Sequence, residues 1–519
     1  MKQLFRHACG VLAAAVLAAA TDAPRPKLVL AIMVDQFRYD YLTRFRSAYT
    51  AGFDRLLREG AVFTNAYYEH FPTVTAIGHS TFLTGATPSI SGIVGNEWYD
   101  RELRRQVTSV FDPAAQTLDA SGKEAASPRR LMVSTIGDEL KMAGRGANKV
   151  IGISFKDRSA ILPVGRMADA AYWFDTHTGN FVTSTYYMSA LPAWVRRVND
   201  GRASNRYAGL EWRSIEKPDT PAFRIMAPAG PELYATLQKS PFANELILHL
   251  AEQAIEAEHL GRHAETDVLA VSLSANDYIG HEVGPDDPRV RDISIRTDRL
   301  LGRLMDFAES RAGKGNVLLV LTADHGVSPL PELMQKRRMP GGRLAEDLVV
   351  KTLEQALSAI YGEGPWVVGK SGPSPYLNHE LIGRKKLELA GVRRRAAEIV
   401  RGIPHVARVY TLDQLLEGRT PDDQVDRRVL RGIYPPRAAD LYFVTEPYWM
   451  FEDEGTTHGS PYGYDAHVPV IFHGGAIRAG RHHRKVAVND IAPTLATLLE
   501  IEPPAGSVGQ VLTEVFSTR

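Results

Sequence analysis

Cysteine is all but missing from this chain: its 519 residues include one, Cys9. A protein working outside the cytoplasm without disulfides must draw its stability from core packing and bound ligands. An excess of charge of one sign is missing too. Lys and Arg number 61 against 60 Asp and Glu, a net charge of +1, which excludes the polyanion-attracting field of a nucleic-acid scaffold. No apolar run reaches the roughly 20 residues that a membrane-spanning helix requires. Internal repeats and low-complexity segments are also absent. What remains is 44% hydrophobic and 23% charged, with 43 Gly and 31 Pro, a globular composition that excludes disordered, collagenous and coiled-coil classes.

The first twenty residues read as an export signal. Lys2 and Arg6 precede an apolar run from Val11 to Ala20 that closes on Ala18, Ala19 and Ala20, the small-residue pattern of a cleavage site. Cleavage removes Cys9 and takes the net charge from +1 to −1. The expectation is a soluble protein, periplasmic or secreted, without stable membrane insertion after cleavage.

Five short apolar runs read as buried strands: Lys27 to Val34, Val150 to Ser154, Asp267 to Leu273, Asn316 to Ala323 and Val468 to His473. Helical spacings fall between them, as at Met132, Ile136 and Leu140, or Val290, Ile293, Leu300, Leu301, Leu304 and Phe307. Alternation of this kind predicts an α/β fold with a mostly parallel central sheet covered by helices on both faces, whose ligands bind beyond the carboxyl ends of the strands. Two stretches break the alternation, roughly residues 168–241 and 329–440, and are read as caps inserted over the site. The aromatic cluster Tyr172, Trp173, Phe174, Tyr186 and Tyr187 is read as the first cap's own core.

The polar residues at the strand ends are unusual. Asp35 follows the first strand; Asp277 and His281 are four apart after the third; Asp324 and His325 directly follow the fourth; His458 precedes the last. Any one pair has a structural explanation, since a lone strand-end Asp commonly caps a turn. Three carboxylates and three imidazoles on separate strand ends are the donor set of two closely spaced divalent cations, and the histidine share favours zinc.

These residues carry a resemblance. With Pro72-Thr73-Val74-Thr75-Ala76-Ile77-Gly78-His79, Gly95-Asn96-Glu97-Trp98-Tyr99-Asp100, Lys156-Asp157-Arg158 and His458-Gly459-Ser460-Pro461-Tyr462, the sequence resembles the alkaline phosphatase superfamily, and within it the exported bacterial branch that uses a threonine nucleophile. The final Val488 to Leu495 resembles that family's closing helix. The resemblance implies one Zn2+ held by Asp277, His281 and His458, and a second held by Asp35, Asp324, His325 and the Thr75 oxygen. It also implies that residues 21–519 form one catalytic domain, a monomer acting on small-molecule phosphate monoesters through a phosphothreonine at Thr75. A free threonine hydroxyl is a weak nucleophile, and coordination to a dication makes its alkoxide accessible.

Asn96, Lys156 and Arg158 are the expected substrate-binding residues. Taken as extended chain after the second strand, Lys156 and Arg158 would point the same way and form a cationic clamp, suited to a dianionic phosphoryl group. The same family's nucleotide pyrophosphatase/phosphodiesterase branch, which lacks this pair, is the alternative function. An arylsulfatase would need Cys or Ser where Thr75 stands. A non-enzymatic metal- or phosphate-binding module would need a missing ligand or nucleophile. Thr73 is a rival hydroxyl and His467 a rival for the last metal ligand, whereas His79 reads as a packed neighbour of the site. N-terminal sequencing of the exported protein should begin near Thr21; an intact N-terminus on exported material would overturn the signal reading.

Overall fold

The computed structural model describes residues 25–119 and 124–516; the expected export signal lies outside the described residues. The interior is built on strands that are apolar along their whole length. β1 (Leu28–Val34, sequence LVLAIMV) is buried at all seven positions, as befits a strand covered on both faces. β2 spans Ala61–Tyr67, β3 Val150–Ser154, β4 Ala170–Asp175, β5 Asn180–Ser184, β6 Asp267–Leu273, β7 Val317–Thr322 and β8 His467–His473. They belong to a 12-stranded sheet, within which they run in the order β2-β8-β7-β1-β6-β3-β4-β5.

The heart of the sheet is parallel. β1 pairs with β6 and β7, β6 with β3, and β3 with β4, all in parallel register. β8 enters antiparallel between β7 and β2, so the chain leading into it arrives at the edge where the parallel strands end.

Helices cover this sheet in two groups. α1 (Thr75–Thr84) packs with α2 (Asp157–Ile161) and, near the end of the chain, with Ile491–Leu499. α3 (Pro241–Ala257) packs with α4 (Ala275–Val283) and with the long α5 (Pro288–Ala312). α3 and α5 begin with proline, which leaves no amide to satisfy at the first turn. α1 is buried at every position and stops at Gly85, whose φ of 66° lies in the left-handed region that closes helices.

The two irregular stretches differ in kind. The first does not begin as a separate cap: Ala170–Asp175 and Asn180–Ser184 extend the central sheet as β4 and β5. Tyr172, Trp173 and Phe174 accordingly lie in the main core, and Tyr186 is exposed. Strong β-formers on both faces of one strand made that segment look like an independent core. The second stretch has a smaller core of its own, in which α6 (Leu348–Tyr361) and α7 (Leu389–Arg401) pack with two antiparallel strand pairs. That core takes in Leu441 and Phe443, past residue 440. Asp440 joins this cap to the body, accepting hydrogen bonds from Arg101, His379 and Arg393 at 2.6, 2.8 and 2.7 Å.

α1 lies so close to the loop after β7 that only glycine fits at position 78. A Cβ there would sit 2.3 Å from the Asp324 carbonyl oxygen and 2.6 Å from its Cα. Gly78→Ala should therefore lower stability by about 2 kcal/mol, the usual cost of overpacking, and scanning calorimetry should record a lower Tm. An unchanged Tm would mean that the loop yields without strain.

Candidate active site and metal centre

The topology carries the polar residues to one edge. Asp35 follows β1, Lys156 follows β3, Asp277 lies in the first turn of α4 after β6, and Asp324 and His325 follow β7. Because β8 is antiparallel, the segment before it brings His458 to the same place. Thr75 opens α1.

Two groups there can each hold a metal ion: Asp277 with His281 and His458, and Asp35 with Asp277 and His325. Asp277 belongs to both. His281 Nε2 is 3.1 Å and His458 Nε2 3.8 Å from Asp277 Oδ1. His325 Nε2 lies 3.5 Å from Asp35 Oδ1, 3.3 Å from Asp324 Oδ2 and 3.4 Å from the Thr75 hydroxyl. The sites abut, for the His325 and His458 rings stack at 3.4 Å.

Each of these histidines is oriented by a backbone carbonyl. Nδ1 of His281, His325 and His458 meets the carbonyl oxygens of Thr456, Gly326 and Thr73 at 2.7, 2.9 and 2.8 Å. A carbonyl only accepts, so Nδ1 carries the proton and Nε2 turns its lone pair toward the carboxylates. Acceptors then face acceptors. Asp35 Oδ1 and Asp324 Oδ2 are buried with no hydrogen-bond partner among the described residues. This donor set fits two divalent cations.

The electrostatics agree at His325 and His458; at His281 burial opposes the charged form, but Asp277 outweighs it and raises the imidazole above its ordinary value. Burial, with the neighbouring Asp277 and Asp324 carboxylates, pushes the Asp35 carboxyl well above its ordinary range. Burial opposes ionisation of Asp277 as well, but Lys156 and His281 outweigh it and hold that carboxyl low. Burial pushes His325 down, and burial together with the two neighbouring imidazoles pushes His458 far down. Both are thus neutral near pH 7, the form that ligates a metal.

Lys156 and Arg158 do not form the parallel pair expected of extended chain. α2 starts at Asp157 with Lys156 as its N-cap. At 100° per residue, side chains two apart on a helix diverge to nearly opposite sides. The buried Lys156 ammonium lies 2.6 Å from both Asp35 Oδ2 and Asp277 Oδ2, bridging the two metal groups. Arg158 instead lines a cavity of about 580 Å³ above the site, together with Asn96, His281 and His458. Asn96 accepts from the Ala76 amide through Oδ1 at 2.8 Å, so what it offers the cavity is its NH2 donor.

The rival residues are otherwise engaged. Thr73 donates its hydroxyl to the Ser460 carbonyl at 2.9 Å. His467 is sandwiched between Tyr39 and Tyr67 and bonds the Thr64 carbonyl. His79 packs behind the site, with Nδ1 2.9 Å from the Thr75 carbonyl and 3.3 Å from Asp324 Oδ2.

The sequence profile of the type I phosphodiesterase / nucleotide pyrophosphatase family matches residues 29–475. The chain belongs to this family. It is 35% identical to alkaline phosphatase PafA of Elizabethkingia meningoseptica over 520 residues, 95% of each chain. It is also 35% identical to alkaline phosphatase PhoV of Synechococcus elongatus over 518 residues, covering 95% of this chain and 93% of that one. The crystal structure of wild-type PafA superposes with a TM-score of 0.90 at 33% identity, across 96% of this chain and all of the other. A PafA structure altered together at a threonine, an asparagine, a lysine and an arginine superposes with a TM-score of 0.89.

Within this family framework, two residues of the site escaped the sequence reading. Gln36 has φ of 60°, strained for a non-glycine residue. That turn lets its amide donate to Asp324 Oδ1 at 3.0 Å while its side chain donates to Asp277 Oδ1 at 2.8 Å. Gly280 makes room, since a Cβ there would lie 1.8 Å from Gln36 Oε1. Asp465 is the second. Its carboxylate accepts from the Ser460 amide and hydroxyl at 2.8 and 2.6 Å, and its carbonyl accepts from the Gly326 amide at 2.6 Å. It thereby ties the His325 loop to the His458 loop. The positive-φ turn leaves no trace in residue type; an acid seven residues beyond His458 was visible, but its partner was not.

The donor set predicts coupled metal binding and folding. Exhaustive chelation should lower the Tm, and a zinc titration should restore it as the bound state is populated. Asp277→Ala, which removes the carboxylate shared by both groups, should reduce bound metal by elemental analysis more than His458→Ala does. Equal metal content in the two variants would remove Asp277 from its central position.

Proposed function

We propose that this chain is an exported, two-zinc alkaline phosphatase that hydrolyses phosphate monoesters through a covalent phosphothreonine at Thr75. One observation carries the reading. The Thr75 hydroxyl opens a buried helix within 3.4 Å of His325 Nε2, next to Val74 in the wall of a cavity that Asn96 and Arg158 also line. Kinship with the PafA and PhoV alkaline phosphatases supports the reaction class. The replacement of threonine, asparagine, lysine and arginine together in one PafA structure names the same four residue types as Thr75, Asn96, Lys156 and Arg158.

When bound, the metal pair supplies Lewis acidity that makes the threonine alkoxide accessible and offsets charge on the reacting oxygens. The chain does the rest. Thr75 Oγ attacks phosphorus, its bond to phosphorus forms as the ester P–O bond breaks, and the alcohol departs with a proton. Water then cleaves the phosphothreonine from the same side, returning Thr75 and inorganic phosphate, so two in-line displacements give net retention. Arg158 offers two parallel donors to the phosphoryl oxygens and Asn96 its NH2 group. Lys156 holds the Asp35 and Asp277 carboxylates in place and adds positive charge beneath the phosphoryl group.

The protein acts as a periplasmic or secreted monomer; among the described residues no helix is long and apolar enough to cross a membrane. Phosphodiester hydrolysis is the second reading, favoured by the family that the profile describes and by a cavity roomy enough for a second substituent. An aryl phosphate, its diester and its sulfate, assayed side by side on metal-replete protein, separate the readings. Thr75→Ala should lose nearly all monoesterase activity while keeping its fold, and quenched wild-type turnover should leave phosphate on Thr75. Replacing Arg158 by Ala should cost the monoester about 100- to 1000-fold in kcat/KM, and the singly charged diester much less. Label on Thr73, inversion at phosphorus, or equal losses for both esters would overturn the proposal.

A further inference from the structure

The cavity is far larger than a phosphoryl group, and its two ends differ chemically. Asn96, Arg158, His281 and His458 surround the phosphoryl end. Beyond them the cap contributes an apolar, aromatic wall of Phe443, Trp449 and Phe451, and three carboxylates, Glu97, Glu346 and Glu452, border the same space. One ammonium stands among these acids: Lys370, 2.9 Å from Glu346 Oε1 and so already paired. Among the described residues no cation lies within ion-pair distance of the Glu97 or Glu452 side chains. Glu452 is within electrostatic reach of His281, Glu346 and Lys370. Exposed carboxylates without a cationic partner on a cavity wall attract a substrate cation.

We infer that the outer half of the cavity selects the leaving alcohol by charge, favouring phosphate monoesters of amino alcohols and their quaternary ammonium analogues over neutral alcohols, and neutral alcohols over anionic ones. This rests on the monoesterase reading above and adds to it a substrate class. An ester whose alcohol carries a carboxylate or a further phosphate meets repulsion from Glu97 and Glu452 where a cationic one meets attraction.

Three monoesters of similar shape test this: choline phosphate, 3,3-dimethylbutyl phosphate and the phosphate of 4-hydroxybutanoate, measured as kcat/KM on the metal-replete protein. The cationic ester should exceed the anionic one by about tenfold at low ionic strength, with the neutral ester between, and added salt should compress the order. In Glu97→Gln/Glu452→Gln protein the cationic ester should fall about fivefold, the anionic one should rise and the neutral one should barely move. That opposite response separates charge selection from leaving-group acidity and from misfolding, which would lower all three. If the monoesters turn over without this order, or fall together in the double variant, the inference is overturned and the phosphatase reading stands. If none turns over while a diester does, the monoesterase reading fails and takes the inference with it.

Discussion

Three carboxylates share a buried pocket with one ammonium, and that shortage of positive charge organises the site. Asp35, Asp277 and Asp324 stand at the ends of three adjacent parallel strands, and among the described residues Lys156, between Asp35 and Asp277, is the one side-chain cation bonded to them. Buried anions left uncompensated cost several kcal/mol each. A fold that keeps them calls for further cations in the same space, and three imidazoles beside them complete groups that can hold such ions. Stability and chemistry here share one requirement.

The imidazoles are held by backbone rather than by other side chains. Carbonyls of Thr73, Gly326 and Thr456 fix the rotation of His458, His325 and His281, so the site inherits the rigidity of the strand ends. Thr73 and Asp465 complete the frame, with the Thr73 hydroxyl on the Ser460 carbonyl and Asp465 on the Ser460 amide. The segment leading to Thr75 and the segment carrying His458 are thereby locked together. Preorganisation of this sort spares reorganisation when charge develops during a reaction.

The cap contributes differently. It has its own small core and meets the body at Asp440, whose carboxyl is held down to about 2: burial opposes its ionisation, and His379, Arg101 and Arg393 outweigh that. Its edge supplies part of the cavity wall, with Phe443, Trp449 and Phe451. Division of labour follows from topology: the sheet edge presents the ligands and the nucleophile candidate, and the insertion shapes what else can enter.

The sequence by itself determined the strands and the donor set. All-apolar runs such as Leu28–Val34 have one stable place in a water-soluble protein, the middle of a covered sheet, and acids and histidines directly after such runs must emerge at one edge. Tertiary structure decided what depends on direction and distance. Ala61–Tyr67, with Thr64 and Asn65 inside it, escaped a search for unbroken apolar runs, and Ala170–Asp175 passed for a cap because membership of a sheet is settled by a partner strand, here Val150–Ser154. Lys156 and Arg158 were legible as a basic pair, but whether they point together turns on the backbone between them. A helix starting at Asp157 sends one down to the carboxylates and leaves the other on the cavity wall. Gln36 and Asp465 act through contacts with residues hundreds of positions away or across a loop, and no local pattern encodes those. Residue type records which chemistry is available; only the folded backbone sets which groups face one another.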